Sequence, residues 1–139
     1  MRYSHLILVL SLFVQPNFAQ ILDPVHWTTE VKPLANNEYE IIFHAILDKG
    51  WSIYSQNNDP NVISPTEVTL EQNTQFVLLG GVEERGKLKK GAEPLFDNTI
   101  LSKYMEKVDF VQRIKVLKPL KSLNASVFYM TCDDKQCLP

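Results

Sequence analysis

Beyond Gln20 the chain has no run approaching the ~20 apolar residues that a helix needs to cross the ~30 Å core of a bilayer. It also lacks a charge excess: the formal net charge is −2, and only Lys87, Lys89 and Lys90 cluster, beside Glu83 and Glu84. Neither nucleic acid nor an anionic membrane surface is therefore an expected partner. No Gly-rich phosphate loop is present, because Gly80-Gly81 is not followed by the glycine and lysine of that motif, and no serine stands in a nucleophile elbow. No segment carries a helical period of apolar residues. Cysteine is scarce, with Cys132 and Cys137 the only two.

The first residues have the make-up of an export leader. Arg2 gives a positive start, Leu6 to Val14 form a short apolar run, and Asn17-Phe18-Ala19 ends on a small residue. Cleavage is expected after Ala19, with residues 20–139 as the mature part. That length suits one domain with its own core and is too short for two. Export would place the cysteines where a disulfide forms and persists.

Alternation of period two recurs through the mature part. Val25, Trp27, Thr29 and Val31 share one face, as do Tyr39, Ile41, Phe43 and Ala45. Thr66, Val68 and Leu70 continue the pattern, followed by Val108, Phe110, Gln112, Ile114 and Val116, and then by Ala125, Val127, Tyr129 and Thr131. Asn36-Asn37, Asp48-Lys49-Gly50, Asn57-Asn58-Asp59-Pro60, Gly80-Gly81 and Pro119 interrupt these runs with turn chemistry. Short strands divided by such turns predict an all-β antiparallel sandwich. Between Gly86 and Lys103 the alternation fails, and the stretch reads as a long surface loop with Leu95 and Phe96 at an apolar tip. The plainer alternatives are a loop folded back on the core or a short helix from Thr99 to Met105. Asn124-Ala125-Ser126 matches a glycosylation sequon, but it falls in an expected strand and reads as coincidence.

The chain ends Thr131-Cys132-Asp133-Asp134-Lys135-Gln136-Cys137-Leu138-Pro139, an apolar strand running into a polar turn and a second cysteine. Four intervening residues let the chain reverse and bring the Cα atoms within the ~4.4–6.8 Å of a disulfide. As a staple the bond would do little, since closing so short a loop contributes only ~2 kcal/mol against ~4.7 for a hundred-residue loop. A structural bond and an exchange site both stay open on spacing alone. Asp133 and Asp134 would raise a thiol pKa and Lys135 would lower it, so local charge does not pick out an attacking cysteine. Zinc wants four protein ligands, or three plus water, and His26 and His44 read as isolated strand residues, so no metal is expected.

The segment Tyr129-Met130-Thr131-Cys132-Asp133-Asp134-Lys135-Gln136-Cys137-Leu138-Pro139 resembles the periplasmic N-terminal domain of the thiol:disulfide interchange protein DsbD. The likeness extends to the early Val25-x-Trp27 strand, to Gly50-Trp51-Ser52-Ile53-Tyr54 and to Pro94-Leu95-Phe96-Asp97. It implies an immunoglobulin-like antiparallel β-sandwich with a long cap loop and a periplasmic location. It also implies a protein-disulfide reductase in which Cys132 and Cys137 carry the exchange. Electrons would come from a membrane electron-donor domain, on the same or a separate chain. They would pass to periplasmic thioredoxin-like proteins, among them disulfide isomerases and cytochrome c maturation thioredoxins. Phe96 matches the family's aromatic cap, and Tyr54 an aromatic beside the pair; neither a cofactor nor a metal is implied. An apolar lid suits such chemistry, because a dithiol in an oxidising compartment loses its electrons to any oxidant that reaches it. The sequence departs from the family in two ways. Some members have one more residue between the cysteines, and the family continues beyond the position of Pro139 with a further strand, a membrane domain and a thioredoxin-like domain. The expectation is either a fragment or a freestanding variant. The competing reading is a noncatalytic exported β-sandwich binding module with a structural disulfide.

Overall fold

The computed structural model describes residues 22–139. The expected leader over residues 1–19 lies outside the described residues. Among them no helix is long and apolar enough to cross a membrane.

In chain order the strands are β1 (Val25–Pro33), β2 (Glu38–Leu47), β3 (Ser52–Tyr54), β4 (Glu67–Leu70), β5 (Phe76–Gly86) and β6 (Lys89–Glu93). A single 3-10 turn (Pro94–Phe96) precedes β7 (Thr99–Met105), β8 (Lys107–Val116), β9 (Ala125–Phe128), β10 (Thr131–Cys132) and β11 (Cys137–Leu138). Sheet A has the order β1-β2-β8-β5, sheet B the order β11-β10-β3-β7-β6, and β4 pairs with β9 in a small third sheet. All pairings are antiparallel. The architecture is the expected immunoglobulin-like antiparallel β-sandwich.

The core follows from the alternation read in the sequence. Ile41, Phe43, Ala45 and Leu47 from β2 and Val108, Phe110 and Ile114 from β8 form the inner face of sheet A. Ile53 from β3 and Tyr104 from β7 meet them from sheet B. Phe110 and Ile53 are fully enclosed, and burial of a side chain of this size contributes ~1.5–3 kcal/mol. Trp27 packs against Phe110 and Tyr129 with ring centroids 6.0 and 5.3 Å apart. One carboxylate joins the two sheets. Glu84 of β5 accepts bonds from Ser55 Oγ at 2.8 Å, from the Gln56 amide at 2.7 Å and from Tyr104 Oη at 2.9 Å.

Asn36 and Asn37 make the β1–β2 turn in the left-handed region, with φ of 58° and 59°, a conformation that asparagine tolerates better than most residues. Gly80-Gly81, expected as a turn between strands, instead lies inside β5. Leu79 faces Arg113 and Glu83 faces Val111, so three residues bulge opposite Gln112. The buried Gln112 side chain donates to the Gly80 carbonyl at 3.2 Å, supplying a bond the distorted ladder lacks. The expected long loop is also corrected. Lys89–Glu93 and Thr99–Met105 are paired strands, leaving only residues 94–98 as an irregular tip. The small and charged residues of β6 hid it, because an edge strand facing water need not alternate. The last expected strand is likewise broken at Tyr129-Met130 into β9 and β10, which belong to different sheets.

Nor are the two histidines isolated. His26 Nε2 lies 3.0 Å from Asp48, and on the outer face of sheet A His44 Nδ1 lies 2.7 Å from Asp109, its cross-strand neighbour. His44 Nε2 is also 3.4 Å from Glu30. The Asp109 bond, and then the two carboxylate charges, raise the His44 pKa above its ordinary value against the opposing effect of burial. Because the folded chain holds this proton more tightly than the unfolded chain, the contribution is fully present below about pH 6.5 and is lost as pH rises through the folded-state value. His44→Gln should therefore cost up to about 1 kcal/mol at pH 5.5 and close to nothing at pH 9, measured from urea midpoints.

Candidate functional site

Period two also dictates what lies on the other side of sheet B. Ile53, Tyr104 and Leu138 point into the sandwich, so their neighbours Ser52, Tyr54, Leu101 and the two cysteines are on the outward face. That face is not left to solvent. Tyr54, Ile63, Leu101 and Cys132 form a second apolar cluster, and Phe96, Met130 and Cys137 pack against it.

Cys132 and Cys137 are directly opposite one another in the β10–β11 hairpin and are disulfide-bonded. Their Cα atoms are 4.1 Å apart, just short of the lower end of the expected span. The cause is the ladder: the Asp133 amide donates to the Gln136 carbonyl at the next rung, which leaves the cysteines as a closely spaced pair. The two cysteines differ in exposure. Cys132 is 1% exposed, whereas Cys137 is only half-buried.

The hairpin is held from both sides. Ser52 Oγ donates to the Cys132 carbonyl at 3.1 Å, and Thr131 Oγ1 donates to the Ser52 carbonyl at 3.0 Å, clamping β10 to β3. At the turn, Asp133 Oδ1 accepts the amides of Lys135 and Gln136, each at 2.8 Å. Those two amides hold the Asp133 carboxyl below its usual value. The sequence reading treated Asp133 only as a charge near a thiol. Its structural part is an Asx turn, for which Asp at the first turn position is the signal.

Tyr54 and Phe96, far apart in sequence, are brought together. Their ring centroids are 5.8 Å apart at 75°, an edge-to-face contact. Tyr54 is 1% exposed, while Phe96 is half-buried at the hairpin tip. The Tyr54 hydroxyl donates to Glu93 Oε2 at 3.4 Å, and Lys103 Nζ donates to Glu93 Oε1 at 2.7 Å. Burial, and then the Glu93 charge, push the Tyr54 pKa well above the ordinary phenol value, so it stays a neutral donor.

Several contributors escaped the sequence reading. Ile63 is carried onto the cluster by the 55–66 segment, where the Asn58 side chain takes the place of a strand: its Nδ2 donates to the Ser102 carbonyl at 2.7 Å and its Oδ1 accepts the Ser102 amide at 2.8 Å. Leu101 was hidden in the stretch taken for a loop. A cavity of about 700 Å³ opens between the inner face of sheet A and residues 119–125, but no residue of the cysteine cluster lines it. Among the described residues no group of three or more His, Cys, Asp or Glu is placed to hold a metal ion.

The fold is similar to one already solved. The crystal structure of the N-terminal periplasmic domain of ScsB from Proteus mirabilis matches with a TM-score of 0.57 and 15% sequence identity. The match covers 84% of this chain and 43% of that one, so this chain spans less than half of its length. At that identity the likeness shows the fold. No family model matches the sequence, and no curated protein matches it.

The turn carboxylate offers a direct check on what holds the sulfurs together. Asp133→Ala removes the acceptor for two amides, loosening the reversal that brings the thiols together, so the bond should become easier to reduce. Asp133→Asn keeps an acceptor and should stay close to the parent. Equilibration with glutathione buffers measures both, and equal potentials for the parent and Asp133→Ala would contradict the turn's role.

Proposed function

We propose that the chain is a periplasmic thiol-disulfide exchange domain of the DsbD N-terminal type, acting as a protein-disulfide reductase. The observation that carries this reading is the placement of the Cys132–Cys137 bond. It sits on the outward face of sheet B, joins two adjacent strands of one hairpin, and lies in a cluster closed by Tyr54 and Phe96. A bond meant for stability would join distant elements, where loop closure contributes more. An apolar cover over a surface disulfide has a use if the reduced form must be kept from oxidants. The structural likeness to a periplasmic domain agrees with the location, as does the leader-like sequence of residues 1–19.

In the proposed reaction Cys137, the more exposed residue of the pair, attacks as a thiolate on a partner disulfide. The partner's S–S bond breaks, one partner thiolate leaves, and a mixed disulfide forms at Cys137. Cys132 then attacks the Cys137 sulfur, re-forming the Cys132–Cys137 bond and releasing the second partner thiolate. Two electrons pass to the partner, and its two thiolates take up the two protons released by the cysteines. A dithiol donor, proposed to be a membrane domain on the same or another chain, restores the reduced pair by the reverse steps. The acceptors proposed are periplasmic thioredoxin-like proteins, which present the reactive disulfide on a surface that can displace Phe96.

Trapping tests both the chemistry and the order of attack. With an oxidised thioredoxin-like partner, reduced Cys132→Ala should accumulate a mixed disulfide and Cys137→Ala should not. Failure of both variants to form one would sink the exchange reading. The potential separates it from the structural alternative, since a staple lies below about −300 mV and a relay pair above it. Phe96→Ala should accelerate reduction of the bond by dithiothreitol; an unchanged rate would remove Phe96 as a shield.

A further inference from the structure

Glu93 is the last residue of β6 and the anchor of the tip that carries Phe96. Its side chain is only 11% exposed although it belongs to an edge strand beside solvent, where a glutamate would ordinarily point outward. Burial of a charge is costly without partners, so its partners define what it does. They come from two other strands. Lys103 of β7 pairs with it at 2.7 Å, and the Tyr54 hydroxyl of β3 donates to it at 3.4 Å. Glu93 thus joins β6 and β7 to the ring on which Phe96 rests.

Little else holds the tip. None of residues 94–96 is buried, and Asp97 and Asn98 both adopt left-handed backbone, with φ of 52° and 59°. Across its base the Asn98 amide donates to the Glu93 carbonyl at 3.0 Å. The Phe96 ring rests edge-on against Tyr54 within the second cluster. Glu93 therefore acts at both ends of the lid: its carbonyl closes the tip, and its carboxylate fixes the Tyr54 ring that receives Phe96.

We propose that Glu93, held by Lys103, is the positioning residue that latches the Phe96 lid shut over the cysteine pair. This rests on the exchange reading above and adds the device by which the site refuses small reagents and admits a docked protein. A partner that displaces Phe96 leaves the Glu93–Lys103 pair in place as a fixed base for reclosure. Without that pair Tyr54 loses its tether, and the lid opens spontaneously more often.

The experiment is a double-mutant cycle in the full chain, reading the rate at which dithiothreitol reduces the Cys132–Cys137 bond. Glu93→Gln keeps the shape and removes the charge that holds Lys103, which is free to extend into water. It should raise the rate about tenfold, which corresponds to about 1.4 kcal/mol of closing free energy. Lys103→Met should raise it in the same direction, and it decides the matter if Glu93→Gln does not fold. Phe96→Ala should also be fast, and Glu93→Gln combined with Phe96→Ala should be no faster than Phe96→Ala alone, because the latch acts through the lid. Reduction by a protein dithiol such as reduced thioredoxin should change far less. A fast Phe96→Ala with Glu93→Gln and Lys103→Met at the parent rate would overturn the latch and leave the shield standing. If all three stay at the parent rate, the shield itself fails. Additive effects of Glu93→Gln and Phe96→Ala would mean that Glu93 acts by another route, and would also overturn the latch.

Discussion

A β-strand sends successive side chains to opposite faces, and in sheet B both faces are covered along β3. Ile53 and Tyr104 go inward to the sandwich core, while Tyr54, Leu101 and Cys132, one or three residues removed in strand register, go outward into a second cluster. The position of the cysteine pair follows from that constraint. A one-residue slip of β10 against β3 would turn Cys132 into the core and Thr131 onto the surface. The reciprocal Ser52 and Thr131 bonds oppose that slip, because each pairs a buried hydroxyl with a carbonyl of the facing strand.

The two clusters divide the labour between folding and the proposed chemistry. The main core, built on Phe43, Phe110 and Ile114, stabilises the sandwich without involving the sulfurs. The second cluster is small and is closed on one side by an element with little burial of its own, the tip bearing Phe96. Regions with few buried apolar contacts open at lower free energy than the core they rest on. A cover of that kind can move while the sandwich stays folded, as the proposed exchange requires.

Polar groups rather than apolar area hold the movable parts in register. Asn58 mimics a strand residue against Ser102, Asp133 ties down the cysteine turn, and Glu93 meets Lys103 and Tyr54 beneath the tip. Each such contact has strict geometry and a modest net contribution, so it favours one arrangement without locking it as a packed core would.

Alternating apolar residues in β1, β2 and β8, and the turn chemistry between them, determined the sandwich from sequence, because Val25, Ile41, Phe43, Ala45, Val108, Phe110 and Ile114 all face one core. The pairing of Cys132 with Cys137 was legible for a similar reason: a polar turn of four residues leaves a hairpin few other closures. Strands β3, β6 and β7 were not legible. Sheet B is covered on both faces along β3, and β6 is a polar edge, so neither shows a clean period of two. Gly80-Gly81 has the chemistry of a turn, and only its pairing with β8 makes it a bulge. The contact of Phe96 with Tyr54 and the burial of Glu93 were decided by the tertiary structure alone. They depend on which strand lies beside which, and hydrogen-bond partnership between strands distant in sequence is set by the packing of the whole domain.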